Sequence, residues 1–122
     1  MPDINLKKRT FEFAVAIAKL AVDLPYNLIN RAYLNQIIRS SSSVGANYRA
    51  AQQAKSSNDF INKLKIVEEE NDETVYFLEL LLVFNPDHSN NIISLINEGT
   101  ELLKIIVASI NTTKERLNNQ KK

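Results

Sequence analysis

The sequence predicts an all-α protein, an antiparallel up-down-up-down four-helix bundle built as one domain over residues 1–122. Three observations predict it. Apolar residues recur at alternating steps of three and four through four long stretches, the spacing of one helical face. Only two glycines and three prolines occur, so the chain lacks the turn chemistry of a β protein. The breaks between the stretches are short, and short connections make consecutive helices antiparallel neighbours. A chain of this length buries roughly two-thirds of its unfolded surface, enough for one real core.

The first helix is expected over about residues 5–24, with Phe11, Ala14, Ile17, Ala18, Ala21 and Leu24 on one face and Phe13, Val15 and Leu20 widening it. Pro25 stops it, because proline has no N–H and disfavours helix at the preceding residue. The second helix is expected over about residues 28–55, with Asn27 or Asn30 as its cap. Its seam is Leu34, Ile37, Ser41, Val44, Tyr48 and Ala51, and the four serines at 40–43 leave that period unbroken. Their hydroxyls can bond carbonyls one turn back, so they stay helical. Small residues flank the seam, and mid-helix Gly45, which costs about 1 kcal/mol relative to alanine, points to a close helical neighbour.

A break at residues 55–58 precedes the third helix, expected over about residues 58–84, with Ser56 or Ser57 as cap and Asp59 suited to the positive end of the helix dipole. Phe60, Leu64, Val67, Asn71, Thr74, Leu78 and Leu81 form its seam. Asn71 and Thr74 need partners there, since an unpaired buried polar group costs about 1–3 kcal/mol. The fourth helix is expected over about residues 89–117, with Ile92, Ile96, Gly99, Leu103, Ile106 and Ile110 on its stripe and a fraying tail beyond.

The formal charge of +1 conceals an uneven distribution. Residues 1–58 hold eight lysines and arginines against three acids, whereas residues 59–79 hold seven acids against two lysines. A basic half therefore faces an acidic helix. With no cysteine there is no disulfide, thiolate metal site or cysteine nucleophile. No apolar run reaches membrane-spanning length and the first residues lack a signal-peptide core, so a cytoplasmic protein without membrane contact is expected.

No catalytic or cofactor chemistry assembles from these residues. The acids Glu68, Glu69, Glu70, Asp72 and Glu73 lack the Glu-x-x-His elements of di-metal bundles, the only histidine being His88 in a loop. Asp87, His88 and Ser89 are consecutive and cannot converge as a triad. Gly45 and Gly99 lie too far apart for a phosphate loop. No enzyme, cofactor or metal is therefore expected.

If the second and third helices form a hairpin, facing residues have numbers summing to about 115. This sets Arg39 opposite Glu73 or Tyr76 and Asn47 near Glu69 or Glu70, with Arg49 in reach of the same acids. Arg39 and Glu73 are expected as a partly buried pair that fixes register. Lys7, Lys8, Arg9, Lys19, Arg31, Arg49 and Lys55 are the candidate contacts for nucleic-acid backbone, which needs only clustered positive charge.

The run QIIRSSSSVGANYR and the segment after it resemble the four-helix-bundle family first named for proteins encoded in intervening sequences of bacterial 23S rRNA genes. Gln36, Arg39, Ser40, Ser43, Val44, Ala46 and Asn47 carry the first part of the pattern. Asp59, Phe60, Lys63, Leu64, Glu69, Glu73, Thr74, Tyr76, Leu78 and Leu81 carry the second. Ala50 departs from it, standing where many relatives have glutamate. The resemblance implies a left-handed four-helix bundle, commonly a homopentamer, without established catalytic activity. A related branch is the accessory protein of diversity-generating retroelements, a basic pentameric barrel that binds nucleic acid and a reverse transcriptase.

Two functional expectations follow. One is a non-enzymatic homo-oligomeric scaffold, a pentamer by the resemblance, that binds RNA or DNA through a basic surface of the assembled ring. The alternative is a protein-protein adaptor that docks a basic partner through the acidic third helix.

Overall fold

Asparagine and serine side chains start the first three helices, and the apolar stripes then hold them together. In the computed structural model, which describes residues 5–121, the elements are α1 (Leu6–Asp23), α2 (Leu28–Gln52), α3 (Ser57–Phe84), a single 3-10 turn (Pro86–His88) and α4 (Ser89–Gln120). Asn5 accepts from the Lys8 N–H at 3.0 Å, Asn27 from the Asn30 N–H at 2.8 Å, and Ser56 from the Asp59 N–H at 3.0 Å. Each bond satisfies one N–H that the first turn of a helix leaves without a partner. Leu24 is already extended ahead of Pro25, and α1 ends there.

Two helix ends depart from the periodicity. α2 stops at Gln52, because the Gln53 and Ala54 N–H groups bond back to Ala50 and Ala51 and tighten the chain into a turn. The Lys55 N–H then donates to the Asp59 carboxylate at 3.1 Å, so residues 53–55 belong to the connection. α4 continues to Gln120, three residues past the expected end.

The four helices pack as a closed square in which each touches the next in sequence and α1 returns to α4. The α2–α3 interface is the most extensive. Phe13, Ile17, Leu20, Ile37, Val44, Leu64, Val67, Leu78, Leu81, Ile92, Leu102 and Ile106 are essentially without solvent contact in one continuous core. In α1 the buried face is Leu6, Thr10, Phe13, Ile17 and Leu20, continued by Leu24, so Phe11, Val15 and Ala18 lie outside it.

Several polar groups inside this core are paired across helices, Thr10 and Ser41 bond carbonyls of their own helices, and Asn71 Oδ1 is buried without a partner among the described residues. Ser40 Oγ and Thr74 Oγ1 lie 2.8 Å apart with both residues wholly buried, and Thr74 also donates to the Glu70 carbonyl. Asn71 Nδ2 donates to the Gly99 carbonyl at 2.8 Å. Asn30 and Asn85 exchange amide hydrogen bonds at 2.9 and 2.8 Å, tying the start of α2 to the end of α3. These bonds set the heights of the helices. Ser40 is level with Thr74, and Gly45 lies against Thr10.

Gly45 is not the closest approach in the bundle. A Cβ built there would meet Thr10 Oγ1 at 3.4 Å, an ordinary contact, whereas one on Gly99 would lie 2.8 Å from Val75 Cγ2 and 3.1 Å from Phe13 Cζ. The tight crossing is that of α3 and α4.

Candidate functional site

Arg39 projects from α2 onto the surface of α3. Its Nη1 donates to Glu70 Oε2 at 3.1 Å and its Nη2 donates to Glu73 Oε2, so one guanidinium spans two carboxylates about a turn apart. The Arg39 side chain is 49% exposed and that of Glu73 37%. This is a solvent-facing clasp and not the partly buried pair expected from register alone. Exposed ion pairs contribute about 0.2–1 kcal/mol. The Ser40–Thr74 pair behind the clasp is buried and therefore specifies register more strongly.

Asn47 does not reach Glu69 or Glu70. Its Nδ2 donates to the Ser43 carbonyl at 2.9 Å within its own helix, a local bond that satisfies the amide and leaves Glu69 in solvent. Arg49 does not face the acids either. It lies one turn beyond Gly45, which abuts α1, so it shares the α1 side of α2 and lines a groove with Asn5, Lys7, Lys8 and Phe11.

The cationic candidates thus separate into groups. Lys7, Lys8 and Arg49 converge around Phe11, which is 66% exposed. Lys55 sits at the same end of the bundle beside Ser56, Ser57, Phe60, Thr113 and Arg116. Arg116 was invisible to sequence reasoning, because only the antiparallel return of α4 brings its last turns beside the α2–α3 connection. Arg9 is committed elsewhere. Its Nε donates to Glu98 Oε2 at 3.2 Å and its Nη2 to Glu98 Oε1 at 2.6 Å, and this bidentate bond raises the guanidinium pKa further above its ordinary value. Lys19 stands on the outer face of α1, farther along the helix. Arg31 lies at the opposite end, donating to Tyr26 Oη at 3.2 Å with its guanidinium 6.0 Å from the ring centroid.

One end of the bundle therefore gathers Lys7, Lys8, Arg49, Lys55 and Arg116 with exposed Phe11, a combination suited to neutralising phosphates and stacking an unpaired base. The acids of α3 fall into two sets. Glu70 and Glu73 hold Arg39, whereas Glu69, Asp72 and Glu79 point outward. Among the described residues no group of three histidine, cysteine or acidic side chains is arranged to hold a metal, and no helix is long and apolar enough to cross a membrane.

Residues 2–108 match the family model described as 23S rRNA-intervening sequence protein. Among solved structures, the chain is similar to a protein of unknown function from the S23 ribosomal protein family of Bacteroides thetaiotaomicron. The two are 38% identical, with a TM-score of 0.74, over 85% of this chain and 96% of the other. No curated protein matches the chain.

Proposed function

The chain belongs to the 23S rRNA-intervening sequence protein family, and from that premise we propose that it is a non-catalytic homo-oligomeric scaffold whose basic end binds the backbone of RNA or DNA. The observation that carries this reading is the gathering of Lys7, Lys8 and Arg49 around solvent-exposed Phe11, with Lys55 and Arg116 at the same end. A single copy has a formal charge of only +1. Assembly changes that balance locally. If copies stand side by side with their axes parallel, the basic ends form one rim, and the phosphate-binding charge is multiplied by the number of copies.

The test is fluorescence anisotropy of a labelled generic single-stranded RNA and a DNA duplex over a salt series. Binding is expected to weaken linearly in log–log form. Replacing Lys7, Lys8 and Arg49 together by glutamate should abolish it at moderate salt while leaving the oligomeric mass intact. An intact oligomer that binds neither probe at low salt would remove the nucleic-acid function.

A further inference from the structure

Phe11 stands among Lys7, Lys8 and Arg49, and two hollows of about 280 Å³ each share its ring as a wall. The outer hollow reaches Asn5 and Lys8, the inner one runs between Ala14 of α1 and Ser42, Gly45 and Ala46 of α2, and Lys7 and Arg49 border both. Ala14, Gly45 and Ala46 carry one methyl group at most, which leaves the space beside the ring open. Each hollow falls just short of the roughly 300–1,000 Å³ that holds a drug-sized ligand, so its natural occupant is a single flat ring system.

The charges around the ring are uncommitted. Arg9 and Arg39 hold carboxylates, whereas Lys7, Lys8 and Arg49 make no ion pair among the described residues. A ligand that satisfies this place must be flat and apolar on its faces and anionic around them. A nucleotide chain offers both in every unit, while an acidic peptide meets the cations and gives the ring no regular apolar face. Base pairing decides which nucleic acid fits. In a duplex each base face is covered by its neighbours, and an aromatic side chain reaches one only by unstacking a step. In a single strand the faces are free, and stacking on an aromatic ring tolerates any base. The walls add little that would choose among bases, since the Thr10 hydroxyl already donates to the Leu6 carbonyl at 2.7 Å.

We propose that this groove is a single-strand site: an unpaired base stacks on Phe11, while Lys7, Lys8 and Arg49 neutralise the phosphates on either side of it. The inference rests on the nucleic-acid reading and narrows its ligand to single-stranded nucleic acid of any sequence. Charge by itself predicts the opposite preference, because the phosphates of a duplex are the more densely spaced. A preference for the single strand is therefore a signature that the cations cannot produce without the ring.

Fluorescence anisotropy of the full chain tests it with three labelled DNA probes of one length: a mixed-sequence single strand, the same strand carrying abasic sites, and the duplex. Phe11 is 66% exposed, so its replacement leaves the core intact. Wild type should prefer the intact strand to the other two. Phe11→Ala should weaken binding to the intact strand about tenfold or more and remove that preference, with the log–log salt slope unchanged, because stacking releases no counterion. Lys8→Gln should instead reduce the slope by about 0.7. Phe11→Trp should retain the affinity, and as the only tryptophan in the chain its emission should change when the strand binds. Equal binding of the intact and abasic strands, a Phe11→Ala protein that binds like wild type or changes its oligomeric mass, or polyglutamate that competes as well as the strand would overturn this inference, and binding of the duplex would still leave the phosphate contacts standing. A wild-type chain that binds none of the probes at low salt would overturn both readings.

Discussion

Replacing Gly99 by alanine sets two effects against each other, and the structure decides between them. Glycine in a helix interior is less favourable than alanine by about 1 kcal/mol, so the exchange in open helix should stabilise. At Gly99 the new methyl would lie 2.8 Å from Val75 Cγ2 and 3.1 Å from Phe13 Cζ, inside the carbon–carbon optimum of about 3.5–4.0 Å. Neither neighbour yields easily. Valine is stiff at χ1, and Phe13 is buried to 2% exposure. Overpacking of this kind costs about 1–3 kcal/mol. Moving α4 outward to relieve it would stretch the 2.8 Å bond from Asn71 Nδ2 to the Gly99 carbonyl, worth about another 1 kcal/mol. The net expectation for Gly99→Ala is a loss of about 1–3 kcal/mol. Gly45→Ala is the internal control, because its nearest neighbour is Thr10 Oγ1 at 3.4 Å. It should gain about 0.5–1 kcal/mol. Urea unfolding of both variants and wild type at one protein concentration reads both. A Gly99→Ala protein as stable as wild type, or a Gly45→Ala protein less stable than Gly99→Ala, would refute the assignment of the tight crossing to α3 and α4.

Two further predictions concern polar groups. Alanine at Asn30 or Asn85 leaves the partner's amide oxygen buried without a donor, while the partner's Nδ2 keeps its bond to the Leu81 or Pro25 carbonyl, so each single variant should lose about 1–2 kcal/mol, and the double variant less than the sum of the two. Additive losses in the same urea assay would show that the amides do not act as a pair. The Asp59 carboxylate accepts from Lys63 Nζ at 2.6 Å and from the Lys55 N–H, and these bonds hold its pKa below the usual carboxylate value. Because the folded value is the lower one, the stabilisation is fully present above the unfolded value of about 3.9 and is lost as pH falls toward the folded value. The stability difference between wild type and Asp59→Asn should therefore shrink as pH is lowered through that window, and a difference independent of pH would refute the role of the ionised group.

Much of the fold is written in local chemistry. Pro25 and Pro86 punctuate the chain, Asn27 and Ser56 start helices, and the three-and-four spacing of Ile37, Ser41 and Val44 continues through four serines that composition alone would have made a linker. The α2–α3 register was also legible, because a short hairpin fixes which residues can face. Its details were not. Asn47 found a carbonyl in its own helix, and Glu70 joined Glu73 on Arg39.

What the sequence determined by itself is the helical character of each segment, since periodicity, capping and proline act over a few residues. The seams of α2 and α3 were legible too, but which face α1 buries was decided only by tertiary structure. α1 is apolar on two sides, one through Phe13, Ile17 and Leu20 and one through Phe11, Val15 and Val22, and no local signal ranks them. The ranking came from α2 and α4, which closed over the first side. They drew Arg9 to Glu98, turned Arg49 toward Lys7 and Lys8, and left the second side in water. The physical reason is that burial depends on neighbours distant in sequence, whereas helix formation does not.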